Sequence, residues 1–309
     1  MFANMHLHHQ NHHILFFIPK SCQFCTIDCE SPDDGLTAPR TLPFMAASLK
    51  TITFITSFNG LVCMGINYYM NIYSDLLLWN PLTGHYKTLS KTNSHDECYE
   101  TTGRAFVLYY LSSEDDYKLL RVTNSCNAYT YSLKSDMWTK IELPVRLPYD
   151  SLLQNHMALL DERVYFLKEA EADTFTYSII KLDLKTWSYT EVAIPFSRGL
   201  KAMRLLFTVV RGCVNIWKCV FYGIELWRMD GDGDWTKVRT YRLVFGKWQP
   251  LHVMADGNWL MFLHHTSYLC KADPTKWHCK YKRLWNMDMD IHPRRKYLET
   301  LVSPNQYMK

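Results

Sequence analysis

VLYYLSSEDDYKLLRV (107–122), followed by AYTYSLKSDMWTKIELP (128–144), decides how this chain folds. The first segment is two apolar runs joined by a polar tip, which reads as a β-hairpin whose strands are buried on both faces. The second alternates apolar and polar residues, turns at Lys134-Ser135-Asp136, and closes on Trp138 with Ile141 three positions later. It reads as a half-buried hairpin. Two hairpins make four strands, and the unit recurs. Apolar hairpins appear again at SFNGLVCMG (57–65), ALLDERVYFL (158–167), TVVRGCVNIW (208–217) and VMADGNWLMFL (253–263). Asn59-Gly60, Arg211-Gly212 and Asp256-Gly257 supply turn residues that tolerate positive φ. The aromatic–aliphatic pair recurs as Tyr86/Leu89, Tyr189/Val192, Trp235/Val238 and Tyr281/Leu284. A period of roughly 40–50 residues built from short strands marks a β-propeller, one blade per repeat.

Five complete units occupy about residues 57–284. Ahead of them, HILFFIPKSCQFCTIDC (13–29) reads as two strands around a Pro19-Lys20-Ser21 turn, and residues 30–44 read as a Pro- and Asp-rich loop. Behind them, residues 296–303 (KYLETLVS) alternate like one further strand. The expected fold is therefore all-β: a propeller of six four-stranded blades, with the C-terminal strand completing the N-terminal blade so that no sheet edge stays open. The expected division is 1–12 as an entry segment, 13–304 as the propeller and 305–309 as a tail.

Composition narrows the function. The 309 residues are 48% hydrophobic, 21% charged and 15% aromatic, with a net charge of +4. That is a globular, strand-favouring chain. Without a Lys/Arg-rich run, no nucleic-acid partner is expected. No stretch reaches the ~20 apolar residues of a spanning helix, so no membrane partner is expected either. The start lacks a basic n-region, and its apolar stretch (Ile14 to Ile18) is too short for a signal peptide. The ten cysteines read as reduced, mostly buried thiols. Cytosol or nucleus is the expected location.

Several groups invite chemistry. Cys22, Cys25 and Cys29, with His6, His8, His9, His12 and His13, suggest zinc, but no second paired knuckle follows, and strand neighbours three apart face opposite ways. Asp230-Gly-Asp-Gly-Asp234 suggests a calcium loop, but the sixth and twelfth positions are Trp235 and Tyr241, so a hairpin turn is expected. Glu114-Asp115-Asp116 falls at a hairpin tip, not across a pocket as paired glycosidase carboxylates do. Trp138, Tyr189 and Trp235 are expected to pack blade against blade. No catalytic residue, cofactor or metal is therefore assigned. The substrate-binding residues stay unknown, with residues 93–102 and 170–176 as the best recognition loops on length and composition.

The order of motifs resembles a known family. LLLWNPLTGHYKTL (76–89) resembles the WNP segment of plant F-box-associated, kelch-like interaction domains. SFNGLVCMG, DYKLLRV (116–122), AYTYSLKSDMWTKIELP, IIKLDLKTWSYTEVAIP (179–195), ELWRMDGDGDWTKV (225–238) and YLETLVSP (297–304) resemble its other segments in sequence order. The resemblance implies a non-catalytic module that recognises a target protein for an SCF-type cullin ubiquitin ligase. Phe2-Ala-Asn-Met-His-Leu7 looks like the stretch that follows the F-box, and the F-box itself is not in this sequence. Docking on a Skp-type adaptor and cullin is expected only if an F-box is supplied. The alternative is a carbohydrate-binding or glycan-processing propeller, which needs convergent carboxylates or Tyr/His/Cys metal ligands in a central channel.

Overall fold

The computed structural model describes residues 12–18, 21–44, 51–69, 72–90, 103–123, 127–143, 157–169, 177–196, 205–220, 223–231, 233–242, 248–263, 268–273, 279–283, 292–298 and 302–305. Among the described residues, strands form six four-stranded antiparallel sheets, and a single 3-10 turn at Pro32–Asp34 is the one helical element. The fold is a six-bladed β-propeller.

By Cα proximity the chain divides into two compact units. The first contains three blades. One is built from both ends of the chain: β1 (His12–Ile18), β2 (Gln23–Asp28) and β3 (Arg40–Thr41) receive β24 (His292–Leu298) in the order β24-β1-β2-β3. The next holds β4 (Thr51–Phe58), β5 (Leu61–Tyr69), β6 (Ile72–Trp79) and β7 (Tyr86–Thr88) in sequence order, and another holds β20 (Trp248–Val253), β21 (Trp259–Leu263), β22 (Tyr268–Ala272) and β23 (Cys279–Arg283). The closing strand runs antiparallel to β1, with His12 opposite Leu298 and Phe17 opposite His292. It starts earlier than the alternation of residues 296–303 indicates. β1 offers one free edge, and satisfying its backbone groups outweighs the poor strand character of Pro293-Arg294-Arg295. Residues 30–44 also differ from a plain loop. The two-residue β3 pairs Gln23 with Thr41 and Phe24 with Arg40.

The second unit contains the other three blades. These are β8 (Gly103–Leu111), β9 (Asp116–Thr123), β10 (Ala128–Ser132) and β11 (Met137–Ile141); β12 (Met157–Leu160), β13 (Arg163–Glu169), β14 (Tyr177–Asp183) and β15 (Tyr189–Ala193); and β16 (Leu205–Val210), β17 (Cys213–Val220), β18 (Gly223–Asp230) and β19 (Asp234–Arg242). Leu133–Met137, the β10–β11 turn with the first residue of β11, groups with the first unit.

Within each unit, neighbouring blades share apolar cores. Leu15, Phe17, Phe24 and Leu42 meet Phe54, Val62, Met64, Leu77 and Trp79. Val107, Tyr109, Leu120 and Val122 meet Val164, Phe166, Ile180 and Leu182. Burial stays high through the third strand of a blade and drops at the fourth: β10 is almost wholly buried, whereas β11 and β15 are mostly exposed. The tight turns follow the sequence at Asn59-Gly60 and Arg211-Gly212, where both residues have positive φ. Asp161-Glu162 adopts the same conformation without a glycine. At Asp256-Gly257 only the glycine does. There the connection is longer, closed by Met254 N–H to Asn258 C=O and Gly257 N–H to Met254 C=O.

Candidate functional site

The WNP segment builds the most organised turn of the first unit. Trp79 ends β6 fully buried, with Phe24 and Phe44 edge-on at 4.7 and 5.8 Å between ring centroids. Its indole N–H lies in the interior with no acceptor. Asn80, also fully buried, bonds the backbone from both ends of its side chain. Oδ1 accepts the N–H groups of Leu82 (2.8 Å) and Thr83 (3.2 Å), and Nδ2 donates to the Val302 carbonyl at 2.7 Å. The first two bonds shape an Asx turn. The third ties that turn to residues 302–305, where Asn305 Nδ2 also reaches the Tyr86 carbonyl at 3.4 Å.

Apolar side chains on and near this hydrogen-bonded turn lie in the open. Leu82 and Tyr86 are each 41% exposed, and Met137, the first residue of β11, is 61% exposed. Next to Met137, Asp136 accepts Ser90 Oγ–H at 2.6 Å and pairs with the buried Lys87 ammonium at 3.3 Å. Exposed aromatic, Met and Leu side chains on a fixed backbone suit contact with another protein, where such residues supply binding energy at little ordering cost. In the second unit Tyr189, Val209 and Val238 are exposed in the same manner.

The groups that invited chemistry are placed as follows. Cys25 and Cys29 lie in the apolar core beside Ile14, Phe16 and Ile27, where burial pushes the Cys25 thiol up to about 11. Cys22 sits in the β1–β2 turn with φ 52°. His12 and His13 belong to strand β1 instead of an entry segment, and His13 is buried. His6, His8 and His9 fall outside the described residues. Among the described residues, no three His, Cys, Asp or Glu side chains are arranged to hold a metal ion. Asp230 and Asp234 face each other across the β18–β19 hairpin, as expected of a turn. The Asp230 carboxylate is taken up by Thr236 Oγ and Arg228 Nε.

The acidic tip separates into three environments. Glu114 pairs with Lys118 at 2.6 Å, Asp115 accepts the Tyr110 hydroxyl, and Asp116 is buried at the start of β9 beside Ser132 Oγ at 2.5 Å. Burial, then the charges of Glu114 and Asp116, raise the Tyr109 phenol, whose buried hydroxyl has no protein partner.

The aromatic pairs need correction. Tyr86 and Tyr189 are exposed, and Trp138 and Trp235 are half-buried, because these aromatic residues sit on fourth strands. Trp235 does bridge blades, donating Nε1–H to the Ala193 carbonyl at 2.9 Å. The fully buried large rings lie on inner strands: Trp79, Trp217, Tyr109, Tyr131, Phe16 and Phe166. The recognition loops 93–102 and 170–176 lie outside the described residues. The Asn80 clamp was missed. Asn-Pro marks a turn, but nothing local points to a partner 222 residues away.

The sequence matches the F-box associated beta propeller domain over residues 16–244. The chain belongs to that family. No curated protein matches it significantly. Among solved structures, the F-box associated propeller is similar to the tricorn protease, with TM-score 0.47 and 13% identity, covering 91% of this chain and 27% of that one. It is also similar to a functionally unknown protein from Desulfotomaculum acetoxidans DSM 771, with TM-score 0.45 and 11% identity, covering 87% of this chain and 78% of that one. The chain thus spans little more than a quarter of the tricorn protease chain.

Proposed function

We propose that this chain is the substrate-recognition module of an SCF-type cullin ubiquitin ligase. It holds a target protein and makes or breaks no bond itself. The observation that carries the reading is membership of the F-box associated propeller family. The exposed Leu82 on its hydrogen-bonded turn, with Tyr86 and Met137 at the starts of β7 and β11, supports it, as these side chains offer anchoring contacts without disturbing the blades. Recognition accelerates ubiquitin transfer by raising the local concentration of the target lysine near the charged conjugating enzyme. Adaptor docking requires an F-box upstream of Phe2, and the working location is cytosol or nucleus. The test is the turnover of the protein captured by the intact chain in its own cells. The reading expects that protein's half-life to lengthen several-fold when the chain is removed. An unchanged half-life, with capture intact, contradicts it.

A further inference from the structure

In the first unit, the blade containing β1 and the blade containing β20 meet across Ile14, Phe16, Ile18, Cys25, Leu260 and Leu269. One end of that apolar seam is polar. Glu30, just beyond β2, reaches the other blade with both oxygens. Oε1 lies 2.8 Å from His252 Nε2, and Oε2 accepts the Ala255 N–H at 2.8 Å. Because the carboxylate accepts, Nε2 carries the proton. The buried His252 ring lies 4.9 Å from the His12 ring of β1, tilted by 48°. Other charged or titratable described groups near this contact include Asp256 on the His252 hairpin, paired with Lys271 of β22 at 2.9 Å; Asp28, which accepts the Glu30 N–H at 2.8 Å; and His13, next to His12 on β1.

Two imidazoles and one carboxylate cannot take up two protons with equal ease. The first proton converts the His252–Glu30 hydrogen bond into an ion pair across the seam. The second places two positive rings 4.9 Å apart beside apolar side chains, where water and salt screen them weakly. Burial opposes ionisation of Glu30, but the bonds from Ala255 and His252 outweigh it and hold this carboxyl below its usual range. It therefore stays charged while both histidines titrate.

We propose that this seam is a proton-operated latch: the first proton on the His12–His252 pair draws the two blades together through Glu30, and the second parts them. The test is a histidine-resolved NMR titration of the full chain from pH 8 to 5. The His12 and His252 signals should share two steps about one pH unit or more apart. His252→Gln should leave His12 with one step, and Glu30→Gln should move the first step to lower pH. Independent single steps in the unsubstituted chain overturn the proposal, as does a His12 curve unchanged by His252→Gln. Melting gives a second readout: below pH 6 the unsubstituted chain should fall about 2–4 °C relative to His12→Gln. Parallel melting profiles also overturn it. Should a variant fail to fold, the titration of the unsubstituted chain decides alone.

Discussion

Two tryptophans, equally buried but differently bonded, separate packing from polar satisfaction. Trp79 and Trp217 are both 0% exposed. Trp217 donates its indole N–H to Thr208 Oγ1 at 2.8 Å, whereas the Trp79 N–H has no acceptor. Replacing either by Phe removes the same atoms from a closed core, so the transfer and cavity costs largely cancel between the two variants. What remains is the polar difference. Trp217→Phe loses a hydrogen bond with a net value of about 0.5–1.5 kcal/mol. Trp79→Phe relieves a buried, unsatisfied donor that costs about 1–3 kcal/mol in the native protein. Trp217→Phe should therefore be more destabilising than Trp79→Phe by about 1.5–4.5 kcal/mol. Urea unfolding followed by far-UV circular dichroism measures this as a difference in midpoint at unchanged slope. The Thr208→Val/Trp217→Phe double variant should show coupling of about 1 kcal/mol. If Trp79→Phe is as costly as Trp217→Phe or more so, the indole at position 79 has a partner and the reasoning fails.

Other outcomes follow from the same contacts. Gly233 has φ +127°, and an added Cβ meets Val192 Cγ1 at 2.9 Å. Gly233→Ala should cost about 2–3 kcal/mol, against about 1 kcal/mol for Gly84→Ala, which meets open space at φ +76°. Equal losses in urea unfolding contradict the clash. Asn80→Asp keeps the acceptor for Leu82 and Thr83 but sets an oxygen against the Val302 carbonyl. Limited proteolysis should then cut near residues 302–305 at least several-fold faster; an unchanged rate argues against the clamp. The Ser178 hydroxyl and Lys168 hold the Glu191 carboxyl below its usual range despite partial burial. Its contribution is thus present above the ordinary carboxylate pKa of about 4.3 and is lost as pH falls below it. Glu191→Gln should flatten the stability profile between about pH 5 and 3, and a parallel profile contradicts this. Leu82→Asp with Met137→Asp should weaken target capture about tenfold or more while leaving the melting temperature within about 1 °C. Loss of folding in that pair contradicts their placement at the surface.

The blade repeat was legible because hairpins announce themselves locally. Polar tips between apolar runs set β8–β9 and β16–β17, and Asn59-Gly60 sets its turn in the conformation those residues favour. The closing strand was legible as a strand but not in its bounds, since pairing with β1 overrides weak local propensity at Pro293 and Arg294. The aromatic pairs showed a period but not a depth. Tyr189 and Trp217 look alike in a string of residues, yet one lies on a fourth strand and is 41% exposed while the other is sealed. What escaped altogether were contacts between distant segments. Asn80 with Val302 and Glu30 with His252 each join residues 222 apart. Such pairs exist only because the fold brings blade ends together, and no periodicity encodes them.

The most direct test of recognition without chemistry is reconstituted ubiquitin transfer. An F-box is grafted upstream of Phe2, and adaptor, cullin, charged conjugating enzyme and the captured protein are supplied. Ubiquitin should then appear on the captured protein, and the signal should fall when the Leu82→Asp/Met137→Asp pair is introduced. A captured protein that stays bound yet receives no ubiquitin, or that leaves cleaved or chemically altered by this chain alone, contradicts the account.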